Sequence, residues 1–398
     1  MGGPVGGPVG AVPADRLRPV VERVRARLAV GDVRPETVGA AVRRAAAESG
    51  LLLSRTDTEV VVGRVRAELW GLGPLQALVE AAGVTDVLVN GPGEVWVDAG
   101  SGLRRVPSPL ADEAQVRALA VRLAAGAGRR LDEAVPHVDA RLPGGVRLHA
   151  VLPPVSPAGT LLSLRVMART PFSLEQLAAG GGLPRAWLPV LARIVRHRVA
   201  YLVSGGTGAG KTTFLAALLG LVPPDERIVL VEDVGELQPE HPHVVRLEAR
   251  HENVEGRGAV TLDDLVRQAL RMRPDRLVVG ECRGPEVRDL LVALNTGHSG
   301  GCGTVHANAA ADVPARLEAL GALAGLGPEA VRAQVGAGLE VVLHVRRRDG
   351  RRELVEVAVL RAGSDGRVVV EPALTAGAAP GPGWSRLAGR IAWEGPPP

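Results

Sequence analysis

Several residue types are scarce in this sequence, and each scarcity excludes a class of protein. Two cysteines, Cys282 and Cys302, provide no disulfide framework, which is typical of a reducing compartment. Aromatic residues make up 2% of the chain, so few rings are available for base stacking. No window of about 18 residues is uncharged and apolar, and no signal peptide is evident. We therefore expect a cytoplasmic protein without a membrane-spanning helix.

Charge is nearly balanced, but lysine is almost missing. The 47 basic and 43 acidic residues give a net charge of +4, and the two signs are interleaved along the chain. This pattern is typical of solvated helix faces, so direct nucleic-acid binding is not expected. Lysine occurs once, at Lys211, and the other 46 basic residues are arginine. Such a bias singles out Lys211 as a place where a planar guanidinium does not fit.

The pattern of apolar residues divides the chain into regions with different predicted secondary structure. At 398 residues the chain is too long for one comfortable core, so two domains are expected. Short β-type runs with one helix indicate a smaller α+β domain, and a later alternation of strands and helices indicates an α/β domain with a parallel sheet. The predicted regions are a disordered start (1–12), a helical region (13–72), the α+β domain (73–168), the α/β domain with the linker at its start (169–373) and a flexible tail (374–398).

Residues 205–212 form the most specific motif of the sequence. They fit G-x-x-x-x-G-K-[ST], follow an apolar strand and open a helix, which is the context of a true phosphate loop. The backbone N–H groups would form an anion nest, Lys211 would reach the β- and γ-phosphates, and the Thr212 hydroxyl would bind Mg²⁺. The alternative is a glycine-rich turn without a ligand. The motif predicts ATP and Mg²⁺ as cofactors, bound by Gly205, Gly206, Thr207, Gly208, Ala209, Gly210, Lys211, Thr212 and Thr213.

Two acidic positions are candidates for catalysis. Glu281 ends an apolar strand, where it could polarise a water, and the alternative is a structural pair with Arg283. Gly280 stands where other phosphate-loop enzymes usually have an aspartate, so Mg²⁺ would be held by Thr212, the phosphates and waters. Glu232 ends the strand after the phosphate-loop helix, and parallel strands bring such ends to one crevice. It could orient the attacking water or merely solvate a loop.

His298 and His306 flank a glycine-rich run in NTGHSGGCGTVHANA. Zinc is the competing interpretation, but one cysteine between the two histidines leaves no convincing fourth ligand. We therefore predict no zinc site and a role in sensing the γ-phosphate or water.

The motifs together resemble the secretion-superfamily ATPases that drive type II secretion, type IV pili and type IV secretion, and most resemble the Tad/Cpa branch. SGGTGAGKTT resembles the Walker A motif, RIVLVEDVGELQ the Asp box, RLVVGECRG the Walker B motif, and ALNTGHSGGCGTVHANAAADVPARLEAL the His box. The likeness covers roughly residues 72–359 and includes VTDVLVNGPGEVWVD of the first domain.

The resemblance implies more than the residues alone. It implies a RecA-like ATPase domain preceded by a smaller α+β, PAS-like domain and a short helical extension. It also implies a homo-hexameric ring that works with an inner-membrane platform protein and lies at the inner face of the membrane. Glu281 and Glu232 would be catalytic, with His306 and His298 as relays. Arg141 and Arg165 would contact the phosphates.

Two alternatives stay open. One is a conjugation-associated motor that serves a DNA-transfer channel. The other is an ATP-gated scaffold that hydrolyses little, since the usual metal-binding aspartate is missing.

Overall fold

The chain divides between residues 168 and 169 into two units, Met1–Ala168 and Arg169–Pro398. A computed structural model describes residues 14–29, 37–51, 54–100, 102–166, 172–250, 257–348 and 350–398. The segment predicted to be disordered, 1–12, lies outside the described residues. Each unit contains its own buried hydrophobic clusters. In the part of the chain that the structure describes, no helix is long and apolar enough to cross a bilayer.

Three helices open the first unit, as the apolar spacing predicts. They are α1 (Ala14–Ala29), α2 (Val38–Glu48) and α3 (Arg55–Trp70). Val20 and Val24 are one turn apart on α1, and both are fully buried, because helical periodicity places them on one face. A reciprocal pair of hydrogen bonds between Ser54 and Asp57 caps the start of α3. The three helices pack around a hydrophobic cluster of their own.

An antiparallel sheet completes the first unit. Its strands are β1 (Asp86–Val89), β2 (Val95–Asp98), β3 (Leu103–Val106), β4 (His137–Arg141), β5 (Arg147–Val151) and β6 (Leu161–Arg165). They lie in the order β3-β2-β1-β6-β5-β4. The turn Pro143–Gly145 joins β4 to β5, so these two strands form a hairpin. Two helices accompany the sheet, α4 (Gln76–Glu80) and α5 (Glu113–Gly126).

The second unit is built on an eight-stranded sheet. Its strands are β7 (Tyr201–Gly205), β8 (Ile228–Glu232), β9 (Val244–Glu248), β10 (Arg276–Cys282), β11 (Cys302–His306), β12 (Val341–Arg348), β13 (Arg351–Ala362) and β14 (Val368–Thr375). The order is β14-β13-β12-β7-β11-β10-β8-β9. Strands β7 to β12 pair in parallel, whereas β12, β13 and β14 form an antiparallel meander.

Eight α-helices lie in the described residues of the second unit. They are α6 (Leu174–Ala179), α7 (Leu188–Arg196), α8 (Lys211–Leu219), α9 (Leu262–Ala269), α10 (Glu286–Asn295), α11 (Val313–Leu323), α12 (Pro328–Gly338) and α13 (Trp384–Arg390). Because the central strands are parallel, the carboxyl ends of β7, β8, β10 and β11 meet at one edge of the sheet. Ligands of open parallel sheets bind at this edge.

The end of the chain corrects one prediction. Residues 374–398 are expected from their glycine and proline content to form a flexible tail, but β14 reaches Thr375 and α13 follows. Trp384, Leu387 and Ile391 are buried in the core of the second unit. The prediction is wrong because these three side chains fall on one helical face, and their burial outweighs the local composition.

Candidate nucleotide-binding site

The phosphate loop, residues 205–212, connects a buried strand to a helix. Every residue of β7 is buried, which anchors the loop at its start. A Cβ atom on Gly205 would collide with the backbone oxygen of Val345. Gly210 has a φ of 95° and caps the beginning of α8, a conformation that favours glycine. The loop therefore reaches the helix in the shape that turns backbone N–H groups toward an anion.

Lys211 lies inside this loop rather than on its surface. Its side chain is 7% exposed, and Nζ donates hydrogen bonds to the oxygens of Gly205 at 3.2 Å and Gly206 at 3.0 Å. Burial lowers the pKa of Lys211, and the nearby Glu281 carboxylate opposes that shift. The Nζ atom is 3.9 Å from Glu281 Oε1. An ammonium in this position can enter a phosphate cradle directly.

Glu281 and His306 meet beside the lysine. His306 Nε2 is 2.5 Å from Glu281 Oε1, and His306 Nδ1 is 3.4 Å from Lys211 Nζ. Burial, followed by the neighbouring Lys211 ammonium, lowers the pKa of His306. Arg283 contacts the second oxygen of Glu281, so the two interpretations of Glu281 are compatible. The predicted catalytic glutamate and histidine are thus brought together with the phosphate-loop lysine.

Glu232 reaches the same edge of the sheet from β8. Its Oε1 accepts hydrogen bonds from the backbone N–H groups of Glu236 at 2.8 Å and Leu237 at 2.9 Å. Its Oε2 is buried and has no hydrogen-bond partner among the described residues. Burial raises the pKa of Glu232. A buried carboxylate oxygen without a partner is costly unless a ligand, water or proton satisfies it.

The glycine at 280 has a steric reason that sequence reasoning missed. A Cβ atom built on Gly280 would lie 2.6 Å from Glu232 Cγ and 3.2 Å from its Oε1. Any side chain at 280 would therefore displace Glu232. The space that an aspartate on β10 would need is filled by a carboxylate from the neighbouring strand. The signal in the sequence was the glycine at position 280, which does not indicate which residue fills the space beside it.

Mg²⁺ with ATP fits the donors at this edge. Thr212 and Thr213 lie in the first turn of α8 and are partly exposed, so the Thr212 hydroxyl is accessible to a cation. Hydroxyl and carboxylate oxygens are hard donors of the kind that Mg²⁺ prefers, and the partnerless Oε2 of Glu232 adds acceptor capacity. Direct ligation of Mg²⁺ by Thr212 stays a prediction.

His298 is not brought to this site. It precedes β11, and β11 pairs in parallel with β7 so that His306 lies opposite Gly205 and Cys302 opposite Tyr201. The strand between them spans about 13 Å. His298 therefore lies at the far edge of the sheet, where its backbone bonds to Ala293. Its predicted role as a relay is wrong, because the two histidines flank a strand rather than a loop.

Arg141 and Arg165 belong to the first unit. Arg141 ends β4 and Arg165 ends β6, and Arg165 Nε donates to Asp86 Oδ1 at 3.2 Å. Both arginines are exposed. Their contact with phosphates stays a prediction.

An open cavity of about 710 Å³ adjoins the phosphate loop. Gly206 and Thr207 line one side, and Asn308, Asp312 and Arg316 line another. The family likeness puts residues 308–316 in the His box but implies no role for their polar side chains. Their closeness in sequence to His306 was the signal that could have indicated a role at the site.

Comparison with known proteins gives a consistent result. A family model described as "Type II/IV secretion system protein" matches residues 68–364. A putative conjugal transfer protein of Mycobacterium tuberculosis is 59% identical over 321 residues, which cover 78% of this chain and 91% of the relative. A type IV secretion system protein PtlH homolog of Bordetella bronchiseptica is 36% identical over 308 residues, covering 69% of this chain and 89% of the relative.

A solved structure extends the comparison to the fold. The pilus retraction motor PilT with bound ADP has a TM-score of 0.51 at 24% identity, covering 75% of this chain and 81% of that one. The predicted α/β fold, with a RecA-like domain after an N-terminal domain, is confirmed.

Proposed function

Because this chain belongs to the type II/IV secretion system protein family and carries the phosphate loop of an ATP hydrolase, we propose that it is a motor for pilus assembly or protein secretion. The observation that carries the proposal is the convergence of Lys211, Glu281 and His306 on the loop. A positive charge on the phosphates and a carboxylate that orients the attacking water are groups that promote hydrolysis of a triphosphate, and the imidazole holds that carboxylate.

The geometry gives each of these residues a role. Bound ATP supplies the γ-phosphoryl group, and Mg²⁺ at the Thr212 hydroxyl would neutralise phosphate charge. Lys211 stabilises negative charge on the phosphates. Glu281 accepts a proton from water, and its orientation is fixed by His306 Nε2 on one oxygen and Arg283 on the other. A lowered pKa keeps His306 neutral near pH 7, so its ring can donate from Nε2 to Glu281. Both ring nitrogens lie close to Lys211 Nζ, at 3.4 Å for Nδ1 and 3.3 Å for Nε2.

The finer proposal concerns assembly and partners. The motor works as a homo-hexamer of the Tad/Cpa type at the inner face of the membrane, where an integral platform protein recruits it from the cytoplasm. Arg141 and Arg165 complete the phosphate contacts when nucleotide binds. The order of the Walker A motif, Asp box, Walker B motif and His box along the chain supports this proposal. So does the relative that is named a type IV secretion system protein.

A second candidate is a motor for conjugal transfer. It is favoured by the 59% identical relative, which is named a putative conjugal transfer protein. A conjugation motor that contacts DNA itself would bind it with an affinity that falls steeply with salt. Absence of such binding, together with co-purification of a membrane platform protein, would favour the pilus or secretion pathway.

The proposed activity is tested with the full chain, ATP and Mg²⁺. We expect slow steady-state hydrolysis in the wild type and its loss in Lys211→Ala. Glu281→Gln should bind ATP with nearly unchanged affinity but lower single-turnover hydrolysis by about 100-fold or more, since the group that activates water is lost. Equal single-turnover rates in wild type and Glu281→Gln would instead favour the ATP-gated scaffold.

A further inference from the structure

The hairpin between β12 and β13 concentrates positive charge next to the phosphate loop. Five of the seven residues 346–352 are arginine. In the antiparallel register Arg347 lies opposite Arg352, and Arg348 lies opposite Arg351. Like charges placed directly opposite each other destabilise an antiparallel pair. A bound anion would offset that repulsion.

One of these pairs touches the phosphate loop. Arg352 Nε donates a hydrogen bond to the oxygen of Gly208 at 3.2 Å. A Cβ atom on Gly210 would lie 3.0 Å from Arg352 Cδ, and one on Gly208 would lie 3.9 Å from Arg347 Nη1. Both side chains therefore lie against the turn at residues 208–210. The next pair, Arg348 and Arg351, points to the other face of the sheet because successive residues alternate.

The hydrogen bond from Arg352 fixes the direction of an amide inside the loop. In a trans peptide the C=O and the following N–H point to opposite sides of one plane. Because Arg352 holds the Gly208 oxygen toward the hairpin, the Ala209 N–H points to the opposite side, away from the hairpin. That N–H makes a long contact of 3.4 Å with the Gly206 oxygen, which also accepts a bond from Lys211 Nζ. The Ala209 N–H and Lys211 Nζ therefore share the Gly206 oxygen as an acceptor.

We propose that Arg352 and Arg347 belong to the nucleotide site. Arg352 is a positioning residue that holds the turn at residues 208–210 in its anion-binding shape. The Arg352 and Arg347 guanidinium groups also supply positive charge that attracts the polyphosphate chain of a nucleoside triphosphate. This inference rests on the proposed binding of ATP to the loop.

The test measures ATP binding by calorimetry and steady-state hydrolysis for three single variants of the full chain. Arg352→Ala should raise the Kd for ATP about tenfold, because a charge-assisted bond and a charge are lost together. Arg347→Ala should raise it about threefold, because it loses charge alone. Arg351→Ala is the matched control on the opposite face and should leave the Kd unchanged.

Two further measurements distinguish the loss of positioning by Arg352 from a general disruption of the structure. At saturating ATP, kcat should stay within about twofold of wild type in Arg352→Ala and Arg347→Ala, since Glu281 and His306 are untouched. Raising the ionic strength should weaken ATP binding less in a variant that combines Arg347→Ala with Arg352→Ala than in the wild type. Arg347 is exposed, so Arg347→Ala still tests the charge contribution if Arg352→Ala does not fold.

The inference is overturned if both variants bind ATP as tightly as wild type, which would leave the hairpin as a surface for another partner. It is also overturned if Arg351→Ala weakens binding as much as Arg352→Ala, because general surface charge would then explain the effect. A wild-type chain that neither binds nor hydrolyses ATP would contradict the proposed function itself.

Discussion

Lys211 and Glu232 are ionisable residues at the candidate site, and burial disfavours the charged form of each side chain. Lys211 is nearly enclosed, yet its Nζ bonds to two loop oxygens. Glu232 is buried with one oxygen lacking a partner. Such groups are expensive in a folded protein and are typical of binding and catalytic sites. Substitutions of such residues can therefore separate effects on stability from effects on function.

Lys211→Arg tests whether the sole lysine is required as a lysine. We expect hydrolysis to fall at least 100-fold, nearly as far as in Lys211→Ala, because a planar guanidinium does not fit the space between the Gly205 and Gly206 oxygens. Steady-state hydrolysis at saturating ATP and Mg²⁺ is the measurement. Substantial rescue by arginine would contradict the inference that a guanidinium does not fit at position 211.

Gly280→Ala tests the steric account of the missing aspartate. A methyl group at 280 would push Glu232 aside, and we expect kcat to fall about 10- to 100-fold. The Kd for ATP should change less than twofold, since the phosphate loop is untouched. Gly389→Ala is the control, because a Cβ there meets nothing within 4 Å. Wild-type kcat in Gly280→Ala would show that Glu232 is not needed at that position.

Glu232→Gln should change how stability depends on pH. Because burial raises the pKa of Glu232 above its ordinary value of 4.5, the folded state favours the protonated form, and its stability falls as pH rises through that raised pKa. Without nucleotide, the variant should therefore have a higher Tm than wild type at pH 7 to 8. The difference should shrink as pH falls toward 4.5. Glu240→Gln, the same change at an exposed position, is the matched control for thermal unfolding.

At the scale of elements, the end of the chain contributes to the core of the second unit. Trp384 and Trp393 make an edge-to-face contact with ring centroids 5.9 Å apart. Arg193 lies over the Trp393 ring at 5.6 Å, and Arg390 forms an ion pair with Glu340. These contacts tie α13 to α7 and to the start of β12. Two of the five tryptophans thus lie where a short helix is held against the core.

Trp384→Ala should lower the free energy of unfolding by about 3 to 5 kcal/mol, the usual range for deleting a buried tryptophan. Urea denaturation of the full chain measures it. Arg386→Ala, an exposed change on the same helix, should alter stability by less than about 0.5 kcal/mol. A similar small effect for both variants would mean that α13 packs only loosely.

At the scale of the whole molecule, the proposed motor is a ring. If hydrolysis requires neighbouring subunits, specific ATPase activity should rise at least several-fold with protein concentration over the range in which the chain assembles. Sedimentation velocity and hydrolysis measured on the same samples check this. Activity per chain that stays constant while the sedimentation coefficient increases would show that each subunit works independently.

The sequence by itself determined the phosphate loop, because eight consecutive residues contain the glycines, the lysine and the threonine that form an anion nest. It also determined the alternation of strands and helices that predicts the parallel sheet, and the order of motifs that indicates the family. These features depend on local chain geometry, which a contiguous stretch of residues specifies.

Only the tertiary structure decided which separated residues meet. The register of β7 with β11 brings His306 to the loop and keeps His298 at the opposite edge. The packing of β8 against β10 places Glu232 over Gly280, and the β12–β13 register puts Arg352 against the loop. Each contact joins residues far apart in the chain, so it depends on strand order and register, which no single stretch of sequence specifies.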